Sequence, residues 1–248
     1  MSKSASTLFC LLLALNIFAQ QKMRPLNELI NTTDPGWPLV KQWIAKARNK
    51  VEVLPRDSVK ANEALYYTQV TTRSPMGAIV YETGGILIDN GWIRILGSGN
   101  KKLDRSLPGW NKGKTFKDFG EPSSFFLVAD DAVGGFFAIN GGAWSKDVGK
   151  IFYFSPDALE WEPLGLGYTD FLHFCFNNDL DKFYEGQRWN NWRKEVDTLD
   201  GTKVFNFYPP FWTKEGKNIN NSSRKAIPVE EQYFLNMDMR KQLEITGN

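Results

Sequence analysis

Two adjacent aspartates followed by two glycines are the residues in this chain whose types and spacing first suggest chemistry. Asp130 and Asp131 stand between two apolar runs, Phe125–Ala129 and Phe136–Ile139, and Gly134-Gly135 complete the gap. Paired carboxylates can act as general acid and base, or hold a hard cation. Successive side chains on a strand point to opposite faces, so a cooperating pair would need the turn to reorient one of them. Turn chemistry accounts for both residues without catalysis, because aspartates accept hydrogen bonds from nearby backbone N–H groups. A second pair, Glu160 and Glu162, alternates with Leu159 and Trp161. Glycoside hydrolysis needs two carboxyl groups flanking a bond at a set separation, and a solvated strand face does not by itself provide that.

His173 is the only histidine, so a His-based zinc site or a Ser-His relay would have to use that one residue. It lies among Phe171, Phe174 and Phe176 and reads as structural. Cys175 lies two positions further on the same helix, so the two side chains do not face each other as a Cys-His dyad. Gly134-Gly135, Gly141-Gly142 and Gly97-Ser98-Gly99 have neither phosphate-loop nor dinucleotide spacing. No metal and no cofactor is expected.

The elements that must position these residues follow from periodicity. Residues 22–50 read as a short helix around Leu26–Ile30 and a second from Trp37 to about Asn49, with Leu39, Val40, Trp43, Ile44 and Ala47 on one face. Arg56–Tyr66 reads as a third helix, capped by Asp57 or Ser58. Strands are predicted from Ser74 onward: Met76–Glu82, Gly85–Asp89, Trp92–Leu96, the two runs around Asp130, Ile151–Phe154 and Leu159–Glu162. Asn90-Gly91 between two β-prone runs signals a hairpin, because both central residues of a type I′ turn need positive φ. Lys101–Phe119 reads as a long polar surface loop around Trp110. Helices return from Tyr168, with Thr169 as the cap, to Asn177 or Asn178, and at Leu180–Trp189 and Pro228–Asn236, with Lys203–Tyr208 β-prone and Lys214–Lys225 a polar loop. Tyr208-Pro209-Pro210-Phe211-Trp212 reads as a rigid aromatic turn.

These elements predict an α+β fold: N-terminal helices, a central twisted antiparallel sheet of four to six strands, and C-terminal helices on one of its faces. The chain has 248 residues and a net charge of +2, with mixed signs and no electrostatic footprint for nucleic acid. Lys3, the apolar run Leu8–Leu15 and the small residue Ala19 describe a secretory signal over residues 1–20, ahead of a single α+β domain from residue 22 to 248. Cleavage there would leave an exported chain, periplasmic or extracellular, with no transmembrane segment and with Cys175 as its lone cysteine. The alternative for the same stretch is an amphipathic or buried N-terminal helix.

The segments TGGILIDNGWIRILGSG (83–99), FFLVADDAVGGFFAINGGAW (125–144), IFYFSPDALEWEPLG (151–165), DFLHFC with LDKFYEGQRW (170–189) and FYPPFWTKEG (207–216) resemble the bacterial family termed domain of unknown function 2625, over roughly residues 23–236. That family implies no catalytic residues. A weaker resemblance is to the SUKH superfamily of cell-wall-assembly regulators and immunity proteins. It rests on the strand–acidic-glycine turn–strand of residues 126–139 and on Tyr168–Leu172, and it implies a protein-binding α+β scaffold. The N-terminal signal and the extension past Trp189 depart from that pattern. The expectation is therefore a non-enzymatic module for a protein or glycan partner, with a contact surface drawn from Asp130, Asp131, Gly134, Gly135, Trp110, Trp144, Tyr208 and Trp212. The alternative is a hydrolase, acting on glycans, with Asp130, Asp131, Glu160 and Glu162 as its carboxylates.

Overall fold

A computed structural model describes residues 23–245, so the expected export signal at residues 1–20 lies outside the described residues. In chain order the elements are α1 (Leu26–Leu29), α2 (Trp37–Ala45), β1 (Val51–Leu54), α3 (Ser58–Thr68), α4 (Pro75–Glu82), β2 (Gly85–Ile88), β3 (Ile93–Leu96) and α5 (Leu107–Asn111). There follow β4 (Phe125–Asp131), β5 (Phe136–Asn140), β6 (Ile151–Ser155), β7 (Glu160–Pro163), α6 (Tyr168–Asn177), α7 (Leu180–Phe183), α8 (Trp192–Asp197), β8 (Lys203–Tyr208), β9 (Ser223–Pro228) and α9 (Val229–Gln242). Strands β1 to β7 form one antiparallel sheet in sequence order, and β8 and β9 pair as a separate hairpin.

The sheet is larger than the four to six strands expected. It gains β1, whose residues Val51–Leu54 pair with Ile88–Gly85. The β2–β3 hairpin closes as the Asn-Gly signal requires: Trp92 N–H donates to the Asp89 carbonyl, and Asn90 and Gly91 have φ of 63° and 89°. Asp57 caps α3 by accepting from the Val59 and Lys60 N–H groups.

Three expectations are corrected. Met76–Glu82 is helical, not a strand. Ser74 accepts from Gly77 N–H and Pro75 occupies the first turn, while burial on nearly every side of Gly77–Val80 erases the alternation that separates helix from strand. The Lys101–Phe119 loop contains α5, capped by Ser106 accepting from Gly109 N–H. The polar loop at Lys214–Lys225 includes a 3-10 turn at Glu215–Lys217 and the start of β9.

The C-terminal helices also divide between the two faces of the sheet instead of sharing one. Phe136 and Phe137 are neighbours on β5 and so point to opposite sides. Phe137 pairs with Tyr153 on β6 and packs on Phe171 of α6 at 4.9 Å between ring centroids. Phe136 pairs with Phe154 and packs on Tyr233 of α9 at 5.1 Å. The sheet is thus covered on both sides, which matches the near-complete burial of β2 to β6.

Candidate functional site

The strand pleat separates the two aspartates. Asp130 is the cross-strand partner of both Arg94 and Phe136, so it lies on the α9 side of the sheet. Arg94 Nε donates to Asp130 Oδ1 at 2.5 Å, and Arg105 Nη1 donates to Oδ2. Arg94 also donates to the carbonyls of Lys203 (2.5 Å) and Asp131 (3.0 Å), and Arg105 Nη2 to that of Gly201 (2.9 Å). Burial lowers the Arg94 pKa, and the Asp130 charge opposes that shift. The cluster bolts the β8–β9 hairpin to the main sheet.

Asp131 turns to the other side. Its Oδ1 accepts from the N–H groups of Val133 (3.0 Å) and Gly135 (2.7 Å), and its Oδ2 accepts from Tyr153 Oη (2.8 Å). Burial pushes its pKa up to about 6, against the pull of those three donors. The turn itself is sealed from α9: Asn236 Nδ2 donates to the Gly134 carbonyl, and Gln232 Nε2 donates to Asn236 Oδ1. Both aspartates have fully buried side chains, so the turn does not form an open surface.

The other expected contact residues are dispersed. Trp144 stacks on Phe152 at 4.3 Å and is 8% exposed. Tyr208 is 75% exposed, and Trp212 is half-buried in the connection between β8 and β9. Glu160 and Glu162 lie on β7, an edge strand, where burial and the neighbouring Asp157 and Glu160 raise the Glu162 pKa. His173 packs on Trp43 at 4.5 Å, and Cys175 is a buried free thiol whose pKa burial raises. Among the described residues no group of three or more His, Cys, Asp or Glu side chains could hold a metal ion. No described helix is long and apolar enough to cross a membrane.

Trp110 is the expected residue that leads to a cavity. Asn111 fixes α5 against β4 by a two-way amide bond: its Nδ2 donates to the Leu127 carbonyl and its Oδ1 accepts from Leu127 N–H, both at 2.8 Å. Trp110, thus placed, floors a cleft of about 570 Å³ bounded by α3, the 98–109 segment, Phe119 and the start of α9. The indole is itself buried, with the Arg105 guanidinium 4.7 Å and the Lys114 ammonium 4.1 Å from its ring. It therefore serves as a platform that holds two cations, not as a free stacking face.

Burial sorts the charges lining this cleft. The Arg105 and Lys114 side chains are only 8% and 4% exposed. The carboxylates of Asp104 and Glu230 are 64% and 61% exposed, and they pair with Lys60 and Lys114 at 2.9 and 2.7 Å. Arg105 and Lys114 form the floor, and the rim is mixed, with Lys60 beside the acids Glu63, Asp104 and Glu230. Arg94 and Arg105 share one carboxylate, so the floor keeps positive charge where the dielectric is low. Sequence reasoning missed Arg105, Lys114 and Lys60, since no local signal joins residues so far apart in the chain. Ser106-Leu107-Pro108 was a readable helix start and would have placed Trp110 on an ordered element.

Comparison with known proteins bears on the whole of this architecture. The family described as "Protein of unknown function DUF2625" matches residues 26–232. The chain belongs to that family. An uncharacterised protein of Haemophilus influenzae is 41% identical over 223 residues, covering 90% of this chain and 98% of that protein. The Escherichia coli "Putative uncharacterized protein YbfG" is 42% identical over 219 residues, covering 88% and 98%. No solved structure matches. The matched span contains β1 to β9, both aspartates, Arg94, Arg105, Trp110, Lys114 and Glu230.

Proposed function

We propose that the chain is a non-enzymatic binding module and that the Trp110 cleft is its ligand site, selective for a group with negative charge. The observation that carries this reading is the burial gradient: buried Arg105 and Lys114 on an indole floor, with exposed Asp104 and Glu230 at the rim. The non-enzymatic part rests on where the carboxylates are. Asp130 is engaged by two arginines and Asp131 by two amides and a phenol, on opposite sides of the sheet, away from any shared substrate position. The SUKH-like part of the reading is supported by element order alone. Export by residues 1–20 remains part of the proposal, and N-terminal mass spectrometry of the native protein tests it: an intact Met1 in the envelope fraction would reject cleavage.

Titration of the full chain with citrate and with inorganic pyrophosphate at low ionic strength tests the cleft. Either anion should raise Tm, and Lys114→Met should abolish the shift without a comparable loss of unliganded stability. Shifts that are absent, or that survive Lys114→Met, would reject the cleft as an anion site.

A further inference from the structure

A second cleft of about 490 Å³ lies on the far side of Tyr67, which lines both. Tyr67 stacks on Phe119 at 3.9 Å with ring planes 16° apart, so the two cavities are separated by a low aromatic ridge, not by backbone layers. Phe119 lines the first cleft and its neighbour Gly120 the second. The chemistry differs across the ridge. The second cleft is walled by half-buried Val70, Met76, Phe116, Phe126 and Ile139, with Phe116 stacked on Phe126 at 6.3 Å. Its rim carries Arg24, Thr68, Gln69, Glu121 and Ser123, with Arg24 hydrogen-bonded to Gln69.

Resting on the reading of the first cleft as an anion site, we infer that the two clefts are subsites for one extended ligand: a peptide segment with an acidic group at one end and a large apolar side chain a few residues away. The acidic group fits the Lys114 ammonium, with Arg105, held by Asp130 and the Gly201 carbonyl, as a second, fixed positive charge on the same indole. The Glu230 carboxylate already contacts Lys114 at 2.7 Å from an exposed position, which places a carboxylate where the ligand's own would sit. The apolar side chain fits the Val70–Met76–Phe126 wall, and intervening backbone crosses the Tyr67–Phe119 ridge. A peptide is favoured over an acyl chain because polar side chains border the second cleft and would be stripped of water against hydrocarbon without gaining a partner.

The experiment uses N-acetyl, C-amidated peptides of aspartate and phenylalanine separated by one, two or three alanines, titrated into the full chain by isothermal titration calorimetry. One spacing should bind best. In that peptide, phenylalanine-to-alanine and aspartate-to-asparagine replacements should each weaken binding at least about tenfold. Val70→Asp, with Met76→Gln as the milder companion, should remove the phenylalanine contribution and leave citrate binding intact. Glu230→Gln should tighten the aspartate-bearing peptides, since the internal competitor for Lys114 is gone.

Citrate binding without a phenylalanine contribution, or decanoate binding tighter than every peptide, would overturn the peptide inference and leave the anion site standing. Absence of both citrate and peptide binding would overturn the two readings together.

Discussion

The Asp130–Gly135 turn and the Trp110 cleft lie on the same sheet and meet at Arg105, yet they are built on opposite rules. In the turn, every oxygen of two carboxylates is matched to a donor and the whole is enclosed. In the cleft, the partners of Lys60 and Lys114 are themselves more than half in water and free to be exchanged, while Arg105 stays tied to Asp130 and the Gly201 carbonyl. Full satisfaction within a closed interior makes a polar cluster rigid and specifying, whereas partners exposed at a rim leave a cation able to change partners. Residue type alone does not tell these cases apart: the acidic pair that suggests catalysis is an anchor, and an unremarkable lysine and arginine line the cavity.

The largest expected effect tests the anchor. Asp130→Asn leaves Arg94 and Arg105 buried against a neutral group, and should cost about 3–5 kcal/mol in denaturant unfolding. A loss under about 1 kcal/mol would mean that the arginines find other partners and that the turn is no more fixed than the cleft.

The next effect is a pH dependence. Asp131 has a folded pKa of about 6 against an ordinary value of 3.8. The folded state therefore holds its proton more tightly than the unfolded chain. This group's contribution is fully present below about pH 4 and is lost as pH rises toward 6, levelling above; the shift corresponds to about 2–3 kcal/mol. Paired carboxylates such as Asp181 and Glu195, whose pKa values are lowered by Arg188 and Arg224, act in the opposite direction. The quantity to measure is thus the difference between the parent and Asp131→Asn, in which the Tyr153 hydroxyl can accept from the new amide. That difference should favour the variant increasingly from pH 4 to pH 7. A constant difference would place the Asp131 proton elsewhere.

Gly135→Ala should follow, at about 1–3 kcal/mol. A Cβ there would lie 2.2 Å from Asp131 Oδ2 and 2.4 Å from Tyr153 Oη, and neither can retreat in a closed interior. The same replacement at Gly142 meets no heavy atom within 4 Å, although its φ of 120° carries its own backbone penalty, so the two substitutions separate crowding from conformation by crystal structure and melting curve.

What was legible in the sequence is what is decided locally. The Asn90-Gly91 hairpin depends on residues that tolerate positive φ, with Asp89 joining them at 50°, and α3 on an aspartate that caps it; the Asn-Gly pair and the cap were readable from a few positions. The opposite facing of Asp130 and Asp131 followed from strand geometry alone. Helix α4 was not legible because its residues are buried on nearly all sides; α5, at five residues, is too short for periodicity and was marked only by its Ser106 cap and Pro108. The seventh strand and the division of α6 and α9 between two faces are decided by packing of distant segments. The cleft is the extreme case: it is assembled from α3, the 98–114 segment, Thr202 and residues 228–230. Its floor is recognisable only when the depths of its charges are known.

The smallest effect completes the comparison from the cleft side. Lys60 pairs with Asp104 at 2.9 Å, with side chains 44% and 64% exposed. An ion pair in that setting gains little over hydration and is screened by salt, so Lys60→Gln should change stability by less than about 0.5 kcal/mol and Tm by no more than a few degrees. The same variant should weaken citrate binding at low salt by a factor of a few, and the difference from the parent should shrink as salt is added. A small loss of stability combined with a salt-dependent loss of binding is the behaviour of a rim group in a ligand site. A loss approaching that of Asp130→Asn, with no change in binding, would instead make the rim pair another anchor, and the contrast between closed turn and open cleft would fail.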